Sequence, residues 1–489
     1  MPLRAALASL ALAATAASAQ QTDLTIALQL EPPHLDPTSA AAGAIDSVLY
    51  ANVFEGLTRF TETGEVVPAL AKSWEISEDG LTYTFTLQEG VTFHDGTEFD
   101  AEDVVFTLDR ARAEDSTNAQ KALYEGIDSV TATGPDTVAI ALREPDGALL
   151  FNLAWGDAVI VAPESIDGIK QTPVGTGPFL FRDWVQGDSI TLVAYEGYWG
   201  EKPALSEATF KFISDPTAAF AAMMAQDIDA FAGFPAPENI PQFQADPRFQ
   251  VLLGSTEGET ILAMNNAKAP LDDPKVRAAI SHAIDRQAII DGAMFGLGTP
   301  IGTHFAPHNP DYVDLTAGSA YDPEEAKRLL AEAGIAEGLT LTLKLPPPSY
   351  ARRGGEIIAA QLRQVGIETQ ITNVEWAQWL EEVFRGKDFD LTIVSHTEPM
   401  DINIYGREDY YFSYARPEFR QLMADLTATA DPDERSALLK QAQEMIAEDH
   451  VNAYLFQLSF PTVADARLQG LWQNQPTQAT DLTGVSWAE

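Results

Sequence analysis

Residues 81–88, LTYTFTLQ, alternate apolar and polar with period two: Leu81, Tyr83, Phe85 and Leu87 fall on one face, Thr82, Thr84, Thr86 and Gln88 on the other. Aromatic and β-branched residues in that rhythm predict a strand with one buried face. Gly90 and Asp95-Gly96 interrupt it, so 81–88 and 91–94 read as a hairpin or meander. Similar short strands are expected at 136–142, 190–195 and 208–213. The second half of the chain changes to helical spacing. Asp273-Pro274 opens a helix whose stripe is Val276, Ala279, Ile280, Ala283 and Ile284; Asp322-Pro323-Glu324-Glu325 opens a second, closed by Gly334. A third helix is expected from Gly355 to Gly366, running into a strand at 367–371, and a fourth from Asp431-Pro432 to about Asp449. Strands alternating with capped helices point to α/β lobes with mixed sheets. No repeat period or long linker separates them.

The first nineteen residues do not follow these patterns. Met1–Ala19 carries one charge, Arg4, then an Ala/Leu run ending in Ala17-Ser18-Ala19. The run is too short to span a bilayer and ends in the small residues a signal peptidase requires. A secretory signal cleaved after Ala19 is therefore expected, with a periplasmic product. Losing Arg4 takes the formal net charge from −42 to −43. Such an acidic chain does not suit nucleic acid or anionic lipid headgroups, both of which need clustered cations. The chain has no cysteine, which removes disulfides, thiolate metal sites, Cys nucleophiles and an N-terminal lipid anchor. At 489 residues, two or three lobes are expected.

Motifs for chemistry are missing. There is no G-x-S-x-G elbow, H-E-x-x-H helix, P-loop or G-x-G-x-x-G turn. The nearest histidine pair, His304 and His308 in THFAPHNP, reads as a solvated loop, and His94 in FHDG as a turn residue. Nothing calls for a cofactor or a metal, and the weight falls on binding instead of catalysis.

Several segments, in order, resemble the extracytoplasmic solute-binding proteins of the peptide/nickel type that feed ABC importers. The most specific is Pro68-Ala69-Leu70-Ala71-Lys72-Ser73-Trp74, read as a Trp-ending helix turn, continuing through LTYTFTLQEGVTFHDGTEFDAEDVVFTLDR. Tyr50–Leu57 resembles the family's early helix, Pro173–Phe179 its glycine turn, and Tyr198-Trp199-Gly200 follows. Met264-Asn265-Asn266, Val276–Ile280 and YDPEEAKRLLAEAG resemble the passage into the second lobe. The resemblance implies a two-lobed, type II venus-flytrap α/β fold with an extra subdomain in the first lobe. The expected division is 20–263 plus 458–489 for the first lobe, with the extra subdomain at about 37–172, and 264–457 for the second. It also implies a monomer that captures a small-molecule or peptide ligand by closure and delivers it to an inner-membrane ABC permease.

Peptide-binding relatives hold the ligand's amino terminus with an acid of the second lobe. The matching stretch, SHTEPMDINIY, follows the expected strand FDLTIV and offers Asp401 first and Glu398 second; alternatively both are solvated loop acids. Arg407, then Arg352, are candidate partners for a ligand carboxylate. Tyr405 and its neighbours Tyr410, Tyr411, Phe412 and Tyr414 are cleft walls or core. A nickel chelate as ligand would involve His396; a sugar would stack on Trp184, Trp376 or Trp379. A short peptide or similar amine-bearing solute is the leading reading. Nickel chelate, opine or oligosaccharide is the alternative within the family, and a secreted hydrolase the alternative outside it.

Overall fold

A computed structural model describes residues 21–39, 43–335, 338–398 and 400–488; the expected cleavage after Ala19 lies outside the described residues. Two long antiparallel strands, Phe249–Met264 and Asn452–Asp465, run through the centre of an eleven-stranded mixed sheet. Beyond the first lie Leu391–His396, Leu339–Leu345 and Ile367–Asn373. Beyond the second lie Ala230–Phe231, Asp23–Leu28, Glu207–Phe212, Ser189–Ala194 and Phe179–Val185.

The core changes along the two central strands. Phe249 and Val463 pack with Ala27, Phe231 and Phe243, and Ala464 joins Ile26 and Phe210. Further along, Leu262, Met264, Ala453 and Phe456 pack with Ile280, Leu343 and Ile358, while Ile261, Ala263 and Tyr454 pack with Phe412 and Phe419. Each end of the strand pair thus serves a separate apolar core, and the fold is α/β with two lobes. A further cluster, centred on Tyr83, Phe85, Val104 and Ile140, builds the extra subdomain of the first lobe. Its antiparallel sheet runs Ala71–Ile76, Thr82–Leu87, Thr137–Leu142, Ile127–Gly134.

Local signals account for most elements. Tyr83, Phe85 and Leu87 are buried on alternate positions of Thr82–Leu87. Asp273, Asp322 and Asp431 each accept a backbone N–H at the start of Pro274–His282, Pro323–Glu332 and Pro432–Glu448, with proline in the first turn. Three expectations are corrected. Residues 71–74 are not a helix turn; they belong to the strand Ala71–Ile76, which takes the place beside Thr82–Leu87 expected of 91–94, because Trp74 and Ile76 pair with Phe85 and Tyr83 across it. Tyr50–Leu57 follows the early helix, Gly43–Leu49, and makes tight turns. The third helix begins at Ser349, not Gly355. Gly355 lies inside it, since a Cβ there would sit 2.4 Å from Leu345 Cδ1 of the underlying strand.

The turns of the resemblance motifs converge on Glu55, a buried carboxylate. It accepts hydrogen bonds from Thr176 Oγ1, Tyr198 Oη and Trp199 Nε1, each at 2.9 Å. The turn 175–177 lies directly on 52–53: a Cβ on Gly175 would stand 1.9 Å from the Val53 carbonyl oxygen, and one on Gly177 2.5 Å from that of Asn52. These glycines are packing residues. His94 ties the same turn from the other side, its Nδ1 accepting from Gly175 N–H at 3.3 Å and its Nε2 donating to the Gly177 carbonyl at 2.9 Å.

Candidate functional site

Where the chain passes between lobes, the strand pairing slips. Ser255 faces Ser459, but the next aligned pair is Glu259 with Gln457, so three residues oppose one. The bulge turns on Gly258, where a Cβ would come within 2.8 Å of Leu458 Cδ1. It carries two acids, Glu257 and Glu259, in a polar stretch, 255–260, between the apolar runs 251–253 and 261–264. Both are buried.

Glu259 stands directly opposite His396 in the antiparallel pairing with Leu391–His396, so the two side chains share a face. Around them lies a polar cluster drawn from four chain segments. His304 Nε2 lies 2.7 Å from Asp401 Oδ1, and His396 Nδ1 lies 3.3 Å from Asp401 Oδ2. The far ring nitrogens are held too: His304 Nδ1 meets Tyr405 Oη at 3.2 Å, and His396 Nε2 meets Tyr411 Oη at 3.1 Å. Asn452 Nδ2 donates to Tyr405 Oη at 3.1 Å. Alongside, His308 Nε2 donates to Glu257 Oε1 at 2.6 Å while its Nδ1 lies 2.7 Å from Ser255 Oγ. A cavity of about 340 Å³ opens beside His308, lined also by Ser255, Thr299, Ser459 and Asn474.

Burial and pairing pull these acids apart. Burial lifts Glu259 well above the usual carboxylate range, with further upward push from Glu257 and Asp401. Glu257 is also raised by burial, against the pull of its His308 hydrogen bond. Burial would raise Asp401 as well, but the contacts with His304 and His396 outweigh it and hold the group low. Burial lowers His304, opposed by Asp401. Two carboxylate oxygens in the cluster, Glu259 Oε2 and Asp401 Oδ2, are buried without a hydrogen-bond partner. Among the described residues no Lys or Arg hydrogen-bonds to Glu257, Glu259 or Asp401. His304, His396 and Asp401 each bring a ligand-capable atom within 4.8 Å of the other two.

The residues named from the sequence divide. Asp401, His396 and Tyr405 meet in this cluster. Glu398 is exposed. Arg407 hydrogen-bonds Asn403 at 3.0 Å and lies over the Tyr410 ring; Arg352 pairs with Glu375 at 3.0 Å. Neither arginine bonds to the cluster. Tyr405, Tyr411, Phe412 and Tyr414 belong to the core of the second lobe. Trp379 is buried, with Nε1 on Thr392, and Trp184 is held by Glu31; Trp376 is exposed. Sequence reasoning passed over Glu257 and Glu259 and read His304 and His308 as a solvated loop. Both histidines are buried, because the 303–308 loop packs beneath the bulge and the 401–406 turn. The available signal was acid on either side of a glycine, in a polar stretch between two apolar runs.

The family model for bacterial extracellular solute-binding proteins, family 5 (middle), matches residues 65–415. The dipeptide-binding protein of Escherichia coli (strain K12) is 30% identical over 488 residues, covering 89% of each chain. Among solved structures, HbpA2 from Haemophilus parasuis superposes with a TM-score of 0.88 at 26% identity, covering 96% of this chain and 100% of that one. NikA from Brucella suis, in complex with Fe(III)-EDTA, superposes at 0.81 with 26% identity over 95% and 99%.

Proposed function

The chain belongs to the family 5 bacterial extracellular solute-binding proteins, and from that premise we propose that it captures a short peptide or similar amine-bearing solute. It is the substrate-binding protein of an ABC importer. In the proposed cycle the lobes close about the 255–259 bulge and its partner 457–459, and the closed form docks on the inner-membrane permease. Affinity comes from contacts made only when both lobes face the ligand, so the solute drives closure. The protein acts as a receptor outside the cytoplasm and makes or breaks no bonds in its solute.

The observation that carries the ligand class is the set of buried acids at the bulge. Glu257, Glu259 and Asp401 are buried beside imidazoles with no Lys or Arg hydrogen-bonded to them among the described residues. A buried carboxylate with a free oxygen rewards a cationic N–H donor from the solute, since the charge-assisted bond offsets desolvation on both sides. Glu259, with Oε2 unpartnered, is the proposed ammonium contact, and Asp401 adds field behind it. The dipeptide-binding relative supports the peptide class.

Calorimetric titration of ligand-stripped protein with di- to pentapeptides and their N-acetylated counterparts tests this. Micromolar binding, about −8 kcal/mol, is expected for free amines. Acetylation or Glu259→Gln should weaken it by about 2–5 kcal/mol, the range for breaking a buried charge pair. Silence from every peptide would end the peptide assignment, and equal binding of acetylated forms would end the amine contact.

A further inference from the structure

We propose that His304, His396 and Asp401 form a resident site for one late first-row divalent cation, of the zinc or nickel kind, in the second lobe. The inference goes beyond solute capture: the ion is held by three side chains of this protein before any solute arrives. It is not brought in as a chelate.

Three observations converge. First, the ligand atoms are gathered: all three residues bring one within 4.8 Å of the others, and the His304–Asp401 and His396–Asp401 separations are 2.7 and 3.3 Å. Ligands ~2.1 Å from a tetrahedral ion stand about 3.4 Å apart, so small side-chain shifts open the site. Second, Asp401 Oδ2 is buried without a well-formed hydrogen bond, its one imidazole contact being His396 Nδ1 at 3.3 Å, and a closely bound cation would satisfy it better. Third, both imidazoles are oriented from behind. The Tyr405 hydroxyl holds His304 Nδ1 and the Tyr411 hydroxyl holds His396 Nε2, leaving His304 Nε2 and His396 Nδ1 turned toward the shared carboxylate. Metal-binding histidines are oriented in this way, by a polar group on the far nitrogen.

The ligand set selects the ion. Two imidazoles and a carboxylate, with no thiolate, suit zinc, nickel or cobalt and give magnesium and calcium little. Three protein ligands leave coordination positions for water or a solute donor. The ligands sit on separate elements: His396 ends the strand Leu391–His396, Asp401 opens the turn Asp401–Gly406, and His304 lies in the loop after Thr299–Pro300. A bound ion would therefore pin three segments of the second lobe beside the bulge.

Untagged protein, stripped with EDTA and dialysed, would be titrated with Zn²⁺, Ni²⁺ and Mg²⁺ by calorimetry and by thermal unfolding. One equivalent of Zn²⁺ or Ni²⁺ should bind and raise Tm, with no response to Mg²⁺. Tyr411→Phe should lower affinity about 10-fold, His304→Ala or His396→Ala, which remove a ligand outright, at least about 100-fold, and His308→Gln should leave the stoichiometry at one. Cobalt loading should give the visible bands of a nitrogen- and oxygen-ligated ion, lost in His304→Ala. Should the alanine variants not fold, Tyr411→Phe and the cobalt spectrum of the unaltered protein decide. Absence of stoichiometric Zn²⁺ or Ni²⁺ uptake, or unchanged uptake by a folded His304→Ala,His396→Ala double variant, would overturn the site.

Discussion

A carboxylate withdrawn from water rises in pKa unless a donor or cation holds its charge, and this chain contains both outcomes. Asp401 is buried yet kept low by two imidazoles. Asp157, in the first lobe, has an unpartnered Oδ1 and is pushed by burial up to about 7; its neighbour Asp46 is raised by its own burial and then by Asp157. Since the folded pKa of Asp157 exceeds its unfolded value, its contribution to stability is complete below about pH 4. That contribution disappears as pH rises through about 7. Asp157→Asn should therefore raise Tm at pH 8, on the order of 2 °C, and change little at pH 4, as read by thermal unfolding at both pH values. No gain at pH 8 would mean that the carboxylate is not strained by burial. At this scale, acids and histidines near 396–405 were legible as a group, because they lie close in sequence. Glu257, Glu259, His304 and His308 were not, because their burial is set by packing between segments far apart in the chain.

Elements defined by their own residues were the most legible. Aspartate-proline starts and glycine stops mark helices whatever surrounds them, so Pro274–His282, Pro323–Glu332 and Pro432–Glu448 follow from sequence. Removing the Asp322 cap, which accepts from Glu324 and Glu325 N–H, should cost about 1 kcal/mol; chemical denaturation of Asp322→Ala measures it. The strand Ala71–Ile76 was misread because its inward positions, Trp74 and Ile76, declare themselves only against the partner strand. The start of Ser349–Gln364 was misplaced because Gly354 and Gly355 look like a boundary, whereas Gly355 sits inside the helix and leaves room for the Leu345 side chain of the strand beneath. Close approach of backbone governs the 175–177 turn. Gly175→Ala must displace the Val53 carbonyl, and should destabilise by about 1–3 kcal/mol by the same measurement. A neutral result would show that the turn has slack.

For the whole molecule, the decisive feature is that two strands belong to both lobes and that their pairing slips between them, at 255–259 and again at 260–261. Away from the crossing the lobes also touch. Gly147 of the extra subdomain donates its N–H to the Thr427 carbonyl at 2.8 Å, and a Cβ there would stand 1.7 Å from the Thr429 carbonyl oxygen. Gly147→Ala should therefore hold the lobes apart: scattering should give a larger radius of gyration with ligand present, and peptide affinity should fall about 10-fold or more. Equal compaction of variant and parent would separate this contact from closure. The overall architecture was legible because motifs recur in order along the chain; the chemistry of the crossing was not, because it exists only once the second strand has returned. Capture of an amine-bearing solute is tested most directly by native mass spectrometry of the protein, as purified and after incubation with a peptide mixture. A one-to-one adduct, released on unfolding, whose fragments carry a free amine, is expected. An adduct without a basic nitrogen, or a protein that stays bare in the peptide mixture, would contradict it.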